Sequence, residues 1–255
     1  MGTYTRHNKN KTMITATLYF ENGINVGSLV NDLQGLPESI RPVYFAEDEG
    51  KIIKANVLSN EERFDNFRKR NSIGFFLYTK GKTFFDLSTG HTGYAEVTLY
   101  LADDLASELV VVFFRRLVGH KPIFGFACDE DEYRHRNRYY ITIGKNHIED
   151  WIGRKLEKYI SGVYWHTLLS DSLLARHGVK LADLSVEAIA SETLGNGSLH
   201  LLKFFARPEE WKENADRLDD LCARVEGVFS RRSVEAAVAG ITNYPAYEEA
   251  IAQWR

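Results

Sequence analysis

The sequence predicts an α+β protein, a mixed and mainly antiparallel sheet (or sheets) with packed helices. Three observations lead there. Apolar residues recur at period two along the chain, first at Ile14, Ala16, Leu18 and Phe20. Several of these runs are joined by tight turns, such as Lys80-Gly81. Stretches with helical spacing are mixed among them without the steady strand–helix alternation of a parallel α/β sheet.

Taken in order, residues 1–11 form a polar, basic arm expected to be flexible. The first strand follows, its apolar set alternating with Thr15, Thr17 and Tyr19, which marks one buried face. Asn22-Gly23 turns the chain into a helix carrying Val26, Leu29, Val30 and Leu33, stopped at Gly35. Residues 41–45 read as a short strand with Pro42 at its start, where a missing N–H does least harm. Ser59 is placed to cap a helix over 60–70, acidic in its first turn and basic in its last, as the helix dipole favours. Strands are expected at 73–79, 82–88 and 94–101, then a largely buried helix at 105–118 around Leu109 to Phe114, for which a strand is the alternative. Another strand is expected at 122–127. In the second half the pattern predicts a helix over 147–159 with Ile148, Trp151, Ile152, Leu156 and Tyr159 inward. Strands at 163–168, 186–192 and 199–206 and a short helix from Asp171 to Gly178 belong to the same reading. Pro208 opens the clearest helix, with Trp211, Ala215, Leu218, Cys222 and Val225 in one stripe. Two short helices, 230–240 and 246–254, close the chain. A weak boundary near 130–138 divides residues 12–128 from 129–255, as two similar α+β halves sharing one core or as one continuous domain.

Composition narrows the function classes. With 255 residues the chain is long enough for a substantial core, and a formal charge of −3 argues against a general electrostatic hold on nucleic acid. No apolar run reaches membrane-spanning length, and the polar N-terminus lacks the apolar stretch of a secretory signal, so a cytoplasmic protein is expected. The two cysteines, Cys128 and Cys222, have no metal-ligand spacing and read as free, buried thiols. The eight histidines include no pair at the spacing of a helical zinc site, and glycine-rich phosphate loops are absent. No cofactor and no metal is therefore expected. The aromatics Phe75, Phe76, Tyr78, Phe84, Phe85, Tyr94 and Tyr100 lack the basic neighbours of a base-stacking platform, and core packing accounts for most of them.

The most polar stretch runs from Cys128 to Arg138. Its carboxylates lack the glycine and terminal glutamate of an EF-hand loop. Glu132 and His135, three apart on a helix, are the candidate catalytic pair of a hydrolase-like enzyme. The plain alternative is a solvated helix start, acidic first and basic later. Asp129, Glu130, Asp131, Glu132 and Tyr133 also make a candidate partner-binding patch.

The run Lys158-Tyr-Ile-Ser-Gly-Val-Tyr-Trp165 resembles the Tyr-x-Pro-Gly-Leu-Tyr-Trp motif of a family of bacterial immunity proteins encoded beside polymorphic or type VI secretion toxins. The likeness continues through Leu168-Leu-Ser-Asp-Ser-Leu-Leu, His177-Gly178, Ala188, Leu199-His-Leu-Leu and Pro208-Glu-Glu-Trp211, roughly the C-terminal half. Ser161 stands where the family usually has proline, and residues 166–169 are not its usual polar-aromatic continuation. The resemblance implies a non-catalytic protein that binds a cognate toxin, with no catalytic residue to carry over. A toxin with a basic cleft would suit the acidic run as a phosphate mimic. A scaffold or sensor subunit of a phage-defence system is the other non-enzymatic reading.

Overall fold

The computed structural model describes residues 13–21, 23–89, 93–102 and 104–255. The N-terminal arm, Asn22, the centre of the 90–93 turn and Asp103 lie outside them. The chain is α+β, with a nine-stranded antiparallel sheet, a separate two-stranded sheet and packed helices.

The first half supplies β1 (Ile14–Glu21), β2 (Tyr44–Ala46), β3 (Gly74–Tyr78), β4 (Phe84–Thr89) and β5 (Tyr94–Leu101). Then follow β6 (Phe124–Asp129), the pair β7 (Arg138–Ile143) and β8 (Asn146–Trp151), and β9 (His166–Ser170), β10 (Ala190–Leu194) and β11 (Leu199–Lys203). The large sheet runs β10-β11-β9-β6-β1-β5-β4-β3-β2. Its centre is β1 against β6, paired antiparallel from Ile14 opposite Asp129 to Tyr19 opposite Phe124.

One face of this sheet carries the apolar set of the alternation: Ala16 beside Leu99, Leu18 beside Val97, Phe20 beside Ala95. It is covered by α2 (Glu61–Arg70), whose Phe67 packs 4.6 Å from Phe45, and by α3 (Leu109–Leu117), whose Phe113 packs 6.0 Å from Phe85. The helix α1 (Val26–Gln34) lies against α3. Asn60, rather than the expected Ser59, caps α2 by accepting from the Arg63 N–H. Close approach is built into this layer at Gly125, where a Cβ would come within 2.5 Å of Leu18 Cδ2.

Among the described residues, the second face is covered only on its C-terminal side. There α4 (Glu130–Asn137), α7 (Trp211–Arg224), α8 (Arg231–Val238) and α9 (Tyr244–Ile251) form a layer with the β7–β8 hairpin, and α5 (Asp171–His177) and α6 (Leu181–Ser185) complete that half. The aromatic stretch Val163-Tyr164-Trp165 is wholly buried at its base. Tyr164 stacks 4.4 Å from Phe126 of the sheet and donates its hydroxyl to Asn137 Oδ1, while Trp165 Nε1 donates to the Phe205 carbonyl. At Gly162 the backbone takes φ +104°, a conformation that suits glycine in the turn before this anchor.

Several elements differ from the sequence reading. Residues 147–159 are not a helix: 146–151 form β8, Ile148 pairs with Ile141, and Trp151 is partly exposed rather than inward. Gly144 at φ +64° closes the hairpin and Gly153 at φ +73° ends any run after it. Ile152 and Tyr159 are buried, but as irregular chain against α8 and α9. The expected strand 163–168 begins later, as β9 at His166. The expected strand 186–192 is displaced to β10, with Val186 and Ile189 exposed before it. The first strand has two buried faces rather than one, because β1 is central and Thr15, Thr17 and Tyr19 lie beneath the C-terminal layer's edge. Cys128 and Cys222 are free and buried, as read, and burial pushes the Cys222 thiol up to about 11.

Replacing Gly125 with Val should overpack the β1–β6 seam and destabilise the protein by about 1–3 kcal/mol, read as a lower urea midpoint.

Candidate functional site

Burial divides the acidic run. Asp129 caps α4, its Oδ1 accepting from the Asp131 N–H at 2.8 Å, and is itself buried. Glu132 turns inward one helical turn before Arg136, and Arg136 Nε donates to it at 3.0 Å. The same guanidinium donates to Asp219 Oδ1 on α7 at 2.9 Å, and Asp219 Oδ2 meets His135 Nε2 at 3.0 Å. The expected solvated helix start is thus a buried ionic clamp between α4 and α7. Its acidic and basic ends still follow the dipole, but Glu132 and Arg136 occur at i and i+4 and share the inward face. Burial pushes the Glu132 carboxyl up, against the pull of Arg136. Burial acts in the same sense on Asp219, yet the His135 hydrogen bond and the Arg136 charge hold it below the usual range. The Glu132/His135 pair of the hydrolase reading does not form, since each is engaged by a different partner.

Glu130 and Tyr133 lie on the other side of α4, while Asp131 is exposed. They line a cleft of about 290 Å³ between α4, the β7–β8 hairpin and the uncovered face of the large sheet. Strand register builds its floor. Thr17, Thr98 and Asp86 form one rung across β1, β5 and β4, with Thr17 Oγ1 3.0 Å from Thr98 Oγ1. Tyr19 faces Glu96 in the next rung. Thr15 faces Tyr100 in the rung on the other side, and Tyr100 continues as an aromatic ladder, 4.5 Å from Phe84, which is 5.7 Å from Tyr78. Core packing therefore explains Phe75 and Phe85, but Phe76, Phe84 and Tyr100 stand half-buried on the uncovered face, with Tyr78 buried at the end of the ladder. The opposite wall is Tyr133, Arg134, Arg138, Trp151 and Arg154. Trp151 carries Arg138 over its ring at 4.2 Å and Arg154 at 5.0 Å.

The cleft is electrically lopsided. Burial first, then the charges of Glu96 and Glu49, push the Asp86 carboxyl up to about 6. Arg134 is paired with Glu130, and Arg138 with Glu149 at 2.7 Å, so two of the three facing cations are already neutralised. Among the described residues no group of three His, Cys, Asp or Glu side chains could hold a metal ion. The arrangement is suited to holding a polar or charged group against aromatic walls. The sequence singles out Glu130 and Tyr133 as part of a partner-binding patch but not Asp86, Glu96, Trp151 or Arg154. The available signal was Phe84-Phe85-Asp86-Leu87-Ser88, whose alternation puts a carboxylate on the face opposite the core.

No family model matches the sequence, and no curated protein matches it. The fold is similar to that of the Pseudomonas aeruginosa T6SS protein PA0821, with a TM-score of 0.52 and 13% identity over 95% of this chain and 82% of that one. At that identity the likeness is one of fold. No helix among the described residues is long and apolar enough to cross a membrane.

Two outcomes follow from the charges. Replacing Arg136 with Met should strand Glu132 and Asp219 in the interior and cost about 3–5 kcal/mol in urea unfolding. Asp86 binds its proton more tightly folded than unfolded, so its contribution to stability falls as pH rises from the ordinary aspartate value of 3.8 to about 6. Asp86→Asn should then raise Tm at neutral pH, by about 1 kcal/mol of stability after screening at the cleft mouth, and leave it unchanged below both values.

Proposed function

We propose that this chain is a non-enzymatic immunity protein of a type VI secretion system, which binds a cognate toxin in the cytoplasm and blocks it through the uncovered sheet face and its cleft. The observation that carries this reading is the cleft itself, an indentation walled by Trp151, Tyr133 and Tyr100, bordered by charges of both signs, where the described residues leave the sheet without a helical layer. Rigid aromatic anchors beside a polar rim are what tight protein recognition uses. The exposed Tyr140 on the same hairpin extends the apolar rim. Two further lines support the reading: the Tyr164-Trp165 resemblance, whose residues here anchor the scaffold instead of catalysing anything, and the fold shared with a T6SS protein. The original acidic patch contributes through Glu130 and Tyr133, with Asp131 exposed nearby. Asp129 and Glu132 act behind it, holding α4 in place.

The reading is tested by co-expression and capture. The protein encoded beside this chain should be toxic alone, harmless when co-expressed, and recovered in a stoichiometric complex. Trp151→Ala should weaken that complex by at least about 2 kcal/mol, roughly 30-fold, with Tm little changed. A neighbour that is not toxic, or a complex indifferent to substitutions on this face, would remove the proposal; recovery of a nuclease or ATPase assembly instead would favour the phage-defence scaffold.

A further inference from the structure

We infer that the cleft is a socket for one cationic side chain, a lysine or arginine of the bound protein, with Asp86 as its counter-ion and Tyr100 beneath it. The inference rests on the protein-binding reading above and specifies the chemistry of the group that enters.

Four observations lead to a cation. Asp86 makes no hydrogen bond or ion pair among the described residues, although it occupies the middle of the floor between Thr98 and Phe76. The charges that act on it, Glu96 and Glu49, are both negative, so an incoming positive group is drawn to this side of the cleft, away from the arginines of the opposite wall. The hydroxyls of Tyr19 and Thr15 line the same cavity on side chains only 8% exposed, and neither has a hydrogen-bond partner among the described residues. Hydroxyl oxygens accept, and an ammonium or guanidinium brings several N–H donors and no acceptor. Finally, the stacked Tyr100 and Phe84 rings offer a π surface beside the carboxylate, which favours a cation partly removed from water.

The competing occupants fit less well. An anion would depend on arginines that are already committed, Arg134 to Glu130 and Arg138 to Glu149, leaving Arg154 alone across the cleft over Trp151. A hard divalent ion needs several oxygen ligands in close array, and no group of three candidate side chains among the described residues provides them. A side chain reaching in from a protein docked on the rim satisfies the carboxylate, the orphan hydroxyls and the ring face together.

The test uses the full chain labelled with nitrogen-15 and four small probes: N-acetyl-arginine amide, N-acetyl-lysine amide, N-acetyl-glutamate amide and magnesium chloride. Either cationic amide should shift the amide resonances of Thr17, Tyr19, Thr98 and Tyr100 with saturation in roughly the millimolar range. Asp86→Asn should weaken this by at least about tenfold while keeping the remaining spectrum. Asp86→Lys, which places an ammonium in the socket covalently, should abolish both probe binding and capture of the partner. Absence of saturable shifts, equal shifts in Asp86→Asn, or a stronger response to the glutamate probe or to magnesium would overturn the inference. Capture of a toxin by a chain whose cleft ignores both cations would overturn the socket while leaving the immunity reading intact.

Discussion

The antiparallel pairing of β1 with β6 is the constraint on which the rest of the molecule depends. It joins strands more than a hundred residues apart in the chain by backbone pairing over six residue pairs, so one sheet runs through the molecule. A strand paired on both edges and buried on both faces cannot slip by one residue without exchanging its core and polar sets. Gly125 shows how close the seam is, since a methyl group there would collide with Leu18. Every other layer is positioned by that sheet.

The two halves cover the sheet differently, and the cleft results. In the first half the helices lie on one face, drawn there by Phe45, Phe85 and their neighbours. In the second half the chain wraps the opposite face, seated on Phe126 by Tyr164 and held by the Glu132–Arg136–Asp219 clamp. The layer stops at Tyr133 and Trp151. Beyond it, the threonines and carboxylate of β1, β4 and β5 are half-roofed, which removes water without supplying new partners. Raised carboxylate affinity for protons at Asp86 is the direct consequence.

The clamp also explains why the charged run in α4 is divided, with Glu132 and Arg136 turned inward and Glu130 and Tyr133 facing the cleft. Two carboxylates sharing one buried guanidinium are costly to bury, and their return is in orientation more than stability. They set which side of α4 faces outward, and so aim Glu130, Tyr133 and Arg134 at the cleft. His166, beside Trp165, is a further buried polar group kept neutral, its pKa pushed down to about 3 by burial and then by Lys203.

The α+β class, most first-half elements, the α5 helix with its Gly178 stop, and the free cysteines were legible in the sequence, most of them because they depend on neighbours a few residues away. The β7–β8 hairpin was not. Residues 147–159 have apolar positions compatible with helical spacing, and only a distant pairing, with two glycines at positive φ, decides for strand and loop. The polar face of β1 was legible as an alternation, but its burial was not, since the roof comes from residues more than a hundred positions later. By itself the sequence determined periodicity and turns. Tertiary structure alone decided which charges are buried together and which are left facing a cleft, because charge pairing and desolvation depend on distances that chain order does not contain.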